Sequence, residues 1–318
     1  MSEFEHKLAT SKRDDRCDEY IGLLHYIRKE KLRVPHVVAS MGKKLVTEHS
    51  WGLGDELWSL YEHTFVAALD LHDNDLAETC LQALKNKFPG SSRVSRLEGM
   101  RLEQRGEFSQ ALMLYDELLE ANPANALVLK RKIAILKAQK KSTDVVVALN
   151  DFLRSFGTDQ AAWTELGETY LSLGTYRYAA YCYEELVLLN PMDAITHSRL
   201  ADIYSTIGGL DNLLIARKHY AHSIELNKKK NLRAYFALVA CTKAITTQRN
   251  YRAEQDDGGI NERLQKFALD YIQDLYTAHS SSGLAEIGKD QLSLCYFVCG
   301  LILSILCYHV VNVALTSL

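Results

Sequence analysis

Along most of the chain, apolar residues return every three or four positions, the beat of a helix with one face turned to a core. The other beat, strict alternation of apolar and polar, is nearly absent. No Asn-Gly or Asp-Gly sits between two β-rich runs. DDGG at 256–259 has polar, helix-like flanks and reads as a loop. The chain has only 4 prolines, so long helices go unbroken. The pattern predicts an all-α protein.

A slower period lies over the helical one. In WTELGETYLSLGTYRYAAYCYEELVLLNP (163–191), Trp163 is followed by Leu166, Gly167, Tyr170, Ala179, Tyr183 and Pro191. Pro89, Pro123 and Pro191 are separated by one and then two intervals of 34 residues, and Gly157 marks the missing beat. Helix-turn-helix units of that length with W-x2-L-G-x2-Y, A-x3-F and P are the tetratricopeptide signature. The same frame picks out Phe65, Ala68, Ala77, Leu81 and Leu84, then Gly99, Leu102, Ala111, Tyr115 and Leu118. It continues through Ile133, Leu136, Val145, Leu149 and Phe152, and later Leu200, Ala201 and Tyr204. It slips by three residues at IGGLDNL (207–213) and recovers at Ala216, Tyr220 and Ser223. Small residues at Gly99, Gly167 and Ala201 let the first helix of a unit (helix A) approach the second (helix B). Leucines and aromatics fill the space to the next unit, and proline ends helix B. One unit cannot bury its apolar face alone, so neighbours must stack.

Residues 16–50 suggest two helices, with Pro35 opening the second. WGLG (51–54) reads as a turn. NLRAYFALVACTKAI (231–245) looks like helix A of a sixth unit, and LQKFALDYIQDLY (264–276) supplies its delayed partner. The expected fold is a superhelical solenoid of about five to six such units with extra N- and C-terminal helices. The expected organisation is N-terminal helices over 1–51, the repeat array over 52–280 and an apolar C-terminal helix over 281–318.

Composition narrows the function. The 318 residues carry a formal net charge of -3, without the basic excess of a nucleic-acid binder. Short clusters such as KRDDR (12–16) and RKEKLR (28–33) mix signs and read as solvated faces. Seven cysteines, with no CxxC, fit reduced thiols. MSEFEHKLATSKRDD has no apolar core and is not expected to be a secretory signal. No phosphate-binding glycine loop, HExxH or GxSxG occurs, so neither a cofactor nor catalysis is expected. His219 and His222 are three apart on one helix, but no nearby Cys or carboxylate completes a metal set. The tyrosines of YRYAAYCY (176–183) invite comparison with a platform for bases; at helical spacing they are expected to be inter-repeat core.

A solenoid curves, and helix A lines its inner face. The second, fifth, ninth and twelfth positions of each unit then give Arg93, Arg96, Met100 and Glu103, followed by Leu127, Lys130, Ala134 and Lys137. Ala161, Thr164, Glu168 and Leu171 come next, and then Ile195, Ser198 and Asp202. The early units are cationic and the later ones acidic or apolar. Two readings stand: a surface that docks a partner chain, with Arg93, Arg96, Met100, Glu103, Lys130, Lys137, Thr164, Glu168, Ser198 and Asp202 as its candidate residues, or a solvated helix face.

Four stretches carry a more specific likeness: GDELWSLYEHTFVAALD (54–70), CLQALKNKFPGSSRVSRLEGMRLE (80–103), LYDELLEANPANALVLKRKIAILKAQKK (114–141) and GGLDNLLIARKHYAHSIELNKKKNLRAYFAL (208–238). Over about residues 52–245 the chain resembles subunit two of the endoplasmic reticulum membrane protein complex. The resemblance implies a non-enzymatic scaffold on the cytoplasmic face of the endoplasmic reticulum membrane. Its implied partners are the cytosolic segments of membrane-embedded subunits and a second soluble subunit. The implied task of the complex is to insert tail-anchored and multi-pass membrane proteins. A rival reading is a co-chaperone adaptor that clamps peptide C-termini with Lys, Asn, Asn, Lys and Arg on successive A helices. The inner positions offer no Asn. LCYFVCGLILSILCYHVVNV (294–313) departs from the family's polar ending. Twenty uncharged residues suffice to span about 30 Å of hydrocarbon. An anchor, a helix packed on the last repeat and a variant C-terminus all remain open for it.

Overall fold

The structure is a computed structural model. It describes residues 4–8, 17–48, 54, 56–228, 231–252, 256 and 259–279. The apolar stretch 294–313 and most of WGLG lie outside the described residues. All regular structure among the described residues is helical, as the apolar spacing predicts.

The chain divides into two compact units, Met1–Gln139 and Lys140–Leu318. The first holds α1 (Cys17–Lys29), α2 (Pro35–Glu48), α3 (Glu56–Asp70), α4 (Asn74–Lys87), α5 (Ser92–Gln104), α6 (Phe108–Ala121) and α7 (Ala126–Ala138). The second holds α8 (Ser142–Ser155), α9 (Gln160–Ser172), α10 (Tyr176–Leu189), α11 (Ala194–Ile207), α12 (Leu210–Leu226), α13 (Leu232–Thr246) and α14 (Ile260–His279). The predicted opening of α2 by Pro35 is observed. The division falls at the turn after α7, inside a segment that the 34-residue frame treats as one hairpin.

The turns keep the period. His72, Gly106, Lys140, Gly174 and Gly208 each have φ between 57° and 77° and follow one another at 34 residues. Each ends a helix A with positive φ, and after His72, Gly106 and Gly174 the chain folds back so that the final carbonyls meet the next amides. Thus the Asp73, Glu107 and Thr175 amides donate back five residues to Ala68, Leu102 and Tyr170 at 2.9, 2.9 and 3.0 Å. The helix starts are periodic too. Asn125, Asp159 and Asp193 cap α7, α9 and α11 by accepting from Val128, Ala162 and Ile195 amides. The slip at 207–213 has a local cause. Gly208 and Gly209 are both left-handed, and α12 runs 17 residues where α10 runs 14.

Packing follows the small positions. In the first unit a Cβ on Gly99 would lie 2.3 Å from the Tyr115 ring; in the second, one on Gly167 would lie 2.8 Å from the Tyr183 ring. Both rings are buried, so each aromatic fills the space that glycine leaves. Phe65, Leu81, Leu149, Leu166 and Leu200 are all at most 1% exposed. The tyrosine-rich stretch needs correction: Tyr183 is core, but Tyr178 and Tyr181 are 64% and 54% exposed. They sit on the side of α10 opposite the buried Ala179, Tyr183 and Leu186, because 3.6 residues per turn cannot turn every tyrosine inward.

Candidate partner-docking surface

In the first unit two of the predicted residues meet on one carboxylate. Arg93 and Arg96, on the first two turns of α5, both donate to Glu62 of α3. The Arg96 bond is 3.3 Å, and the Arg96 and Glu62 side chains are each 18% exposed while Arg93 is 66% exposed. Two arginines on one carboxylate leave a net positive charge. The hydrogen bond that Arg93 donates to Glu62, then the charge of Glu62, raises the Arg93 pKa. Two hollows flank this pair. One, of about 260 Å³, is lined by Trp58, Ser59, Glu62, Leu84, Phe88 and Arg93 among others. The other, of about 360 Å³, is lined by Ser92, Arg93, Arg96, Asn125 and Leu127. Trp58 and Phe88 meet edge to face at 5.4 Å, and Leu127 is exposed. The surface therefore offers guanidinium donors between apolar walls, which suits a segment that pairs a carboxylate with an apolar side chain.

Further along α5 the chemistry closes on itself. Glu103 accepts the Tyr115 hydroxyl of its own hairpin and both Nε and Nη2 of Arg131 on α7. Burial, then Glu103, pushes the Tyr115 phenol above its ordinary range. Met100 packs against the core formed by the first helices. Lys130 is half-buried and Lys137 exposed.

In the second unit the same device recurs. Glu168 accepts the Tyr183 hydroxyl at 2.7 Å. Asp202 accepts the Tyr220 hydroxyl at 2.7 Å and Arg233 Nη2 at 2.7 Å. Burial raises the Asp202 pKa against the pull of Tyr220 and Arg233. Ser198 and Ser223 share a hydrogen bond of 2.7 Å, and Asn231 Nδ2 donates to both. Thr164 donates to the Gln160 carbonyl of its own helix and remains exposed. Among the described residues the contacts form a ladder: a helix A carboxylate takes a tyrosine from its own hairpin, and in two places an arginine from a later helix A. The sequence does not reveal this ladder, because Glu103 and Asp202 take their arginines from a later unit and Glu103 stands off the frame position shared by Glu168 and Asp202.

Two further clusters lie off the predicted face. His197 Nε2 donates to the Pro191 carbonyl at 3.0 Å, and its Nδ1 meets His219 Nδ1 at 3.0 Å. With Nε2 protonated, the His197 Nδ1 is the acceptor. His222 lies edge-on to His197, so the pair seen in the sequence has a third member. No metal-holding group of His, Cys, Asp or Glu occurs among the described residues. The second cluster is buried: Arg217 pairs bidentately with Asp256 at 2.9 and 3.0 Å and with Asn261 at 3.2 Å.

Helical hairpins repeating at 34 residues, with left-handed turns in step and a glycine under a buried tyrosine, define a tetratricopeptide-repeat protein. The sequence model described as EMC2 TPR-like repeat domain matches residues 75–211. ER membrane protein complex subunit 2-A of Xenopus laevis is 42% identical over 249 residues, 78% of this chain and 83% of that protein. ER membrane protein complex subunit 2 of Dictyostelium discoideum is 34% identical over 206 residues, 64% of each chain. TPR repeat protein oca3 of Schizosaccharomyces pombe is 30% identical over 212 residues, 66% of this chain and 75% of that one. The chain belongs to the ER membrane protein complex subunit 2 family. No helix among the described residues is long and apolar enough to cross a membrane.

Proposed function

We propose that this chain is a non-catalytic scaffold subunit of an endoplasmic reticulum membrane protein complex. It sits on the cytoplasmic face of the membrane and holds cytosolic segments of membrane-embedded subunits together with a soluble subunit. Through them it supports insertion of tail-anchored and multi-pass membrane proteins. The reading rests on relatives from Xenopus and Dictyostelium that are named for that complex, one of them covered over 83% of its length, and on a fold whose business is to display helix faces. The docking surface we assign is the helix A face, with Arg93, Arg96, Lys130 and Lys137 receiving acidic or C-terminal partner segments.

The observation that carries this surface is the pair Arg93 and Arg96 sharing the one carboxylate of Glu62 between two hollows. An incoming carboxylate finds guanidinium donors that Glu62 alone does not use up. Arg93→Glu in the full chain should lower recovery of the membrane-embedded subunits in a pull-down by several-fold, with unchanged far-ultraviolet circular dichroism. Arg93→Gln should give an intermediate loss. Undiminished recovery with both variants would reject the docking role.

A further inference from the structure

The exposed tyrosines of α10 sit on the opposite series of helices and are not used by the helix A face. Tyr178, Tyr181, Glu185 and Leu188 follow one another at i, i+3, i+7 and i+10, one stripe along the helix. Tyr178, Tyr181 and Leu188 are 64%, 54% and 73% exposed. The two rings are braced from below: Tyr170 stacks on Tyr178 at 5.3 Å, and Trp163 meets Tyr181 edge to face at 6.1 Å. A braced ring loses little freedom when something docks on it.

Charge tells what would dock. Glu184 accepts from the Tyr204 hydroxyl, and Glu185, one turn on from Tyr181, raises the pKa of that phenol. Both partners are neutral. The base near Glu184, His219, is kept toward its neutral form by burial and by His197 and His222. By contrast Glu62, Glu103, Asp202 and Asp256 each hold an arginine. The one cation in the α10 sequence, Arg177, stands at its start. The second half of α10 is thus acidic, at the end where the helix dipole also favours cations. Exposed rings beside carboxylates are a seat for arginine or lysine.

We propose that this face of α10 docks a basic amphipathic helix of a partner protein. Its aliphatic side chains cover Tyr178, Tyr181 and Leu188, and its cations meet Glu184 and Glu185. This surface stands or falls independently of the helix A face. The test places a photoreactive benzoylphenylalanine at Leu188 of the full chain in cells, and the crosslinked segment is sequenced. That segment is then synthesised and its affinity for the purified chain measured. The expected adduct is a helical segment with Lys or Arg opposite the two glutamates. Glu184→Gln with Glu185→Gln should weaken its binding about tenfold, and Tyr178→Ser with Tyr181→Ser at least as much. Tyr181→Phe, which keeps the ring, should stay within about twofold. No adduct, a lipid adduct, a segment lacking such cations, or an affinity untouched by the glutamine pair would overturn the assignment.

Discussion

At the scale of residues, two contacts dominate the expected stability changes. Arg217 and Asp256 are 6% and 8% exposed and bonded bidentately. Asn261 also donates its amide to Asp256 Oδ2 at 2.8 Å and its side chain to the Thr242 carbonyl at 2.9 Å. Removing one member leaves a buried charge without its partner. Asp256→Ala should therefore cost about 3–5 kcal/mol in urea unfolding. The Arg217 hydrogen bond holds the Asp256 pKa below its ordinary value. The folded state then binds this proton less readily than the unfolded chain. The contribution is in full present above the ordinary aspartate pKa of about 3.9 and fades as pH falls through the lower folded value. Wild type should lose stability along that acid limb faster than Asp256→Asn, as unfolding midpoints against pH will tell. The second contact is the close approach of the Tyr115 ring to Gly99. Gly99→Ala drives a methyl into the Tyr115 ring and should cost about 1–3 kcal/mol. Gly174→Ala meets nothing within 4 Å and carries only the strain of φ 70°, about 1–2 kcal/mol. Cys80 and Cys182, pushed up to about 12 by burial, should resist thiol reagents in the folded chain.

At the scale of elements, helix type and length are legible because each helix repeats the same apolar spacing. Gly99 and Gly167 are legible too, since only a glycine fits under the tyrosine that follows it. The tyrosine–carboxylate ladder is not. Glu103 stands one helical turn further along its helix than Glu168 and Asp202 do on theirs, so no fixed position in the frame marks it. The expectation of core fails at Tyr178 and Tyr181 for a related reason: aromatic content says nothing about which side of a helix faces outward. The caps do have a signal, the polar Asn125, Asp159 and Asp193 at 34-residue spacing. Asp159→Ala should cost about 1 kcal/mol in thermal unfolding, and Asp159→Asn much less. The loop that carries Asp256 gave no such warning, because its arginine lies 39 residues back in another element.

At the scale of the whole molecule, the sequence carries the repeat and the family, and the structure adds how each unit is knit. Arginine–carboxylate bonds join helices α3 to α5 and α5 to α7 in the first unit, and α11 to α13 in the second. A chain so arranged keeps its charged residues for holding helices and for meeting other chains. That is the economy of a scaffold, and its measure is what the chain is found bound to. The most direct measurement is affinity purification of the full chain from detergent-solubilised membranes, with recovered proteins quantified by mass spectrometry. The account predicts membrane-embedded subunits of the endoplasmic reticulum complex in near-equimolar amounts. Recovery of a heat-shock chaperone instead, or of the chain alone, would contradict it.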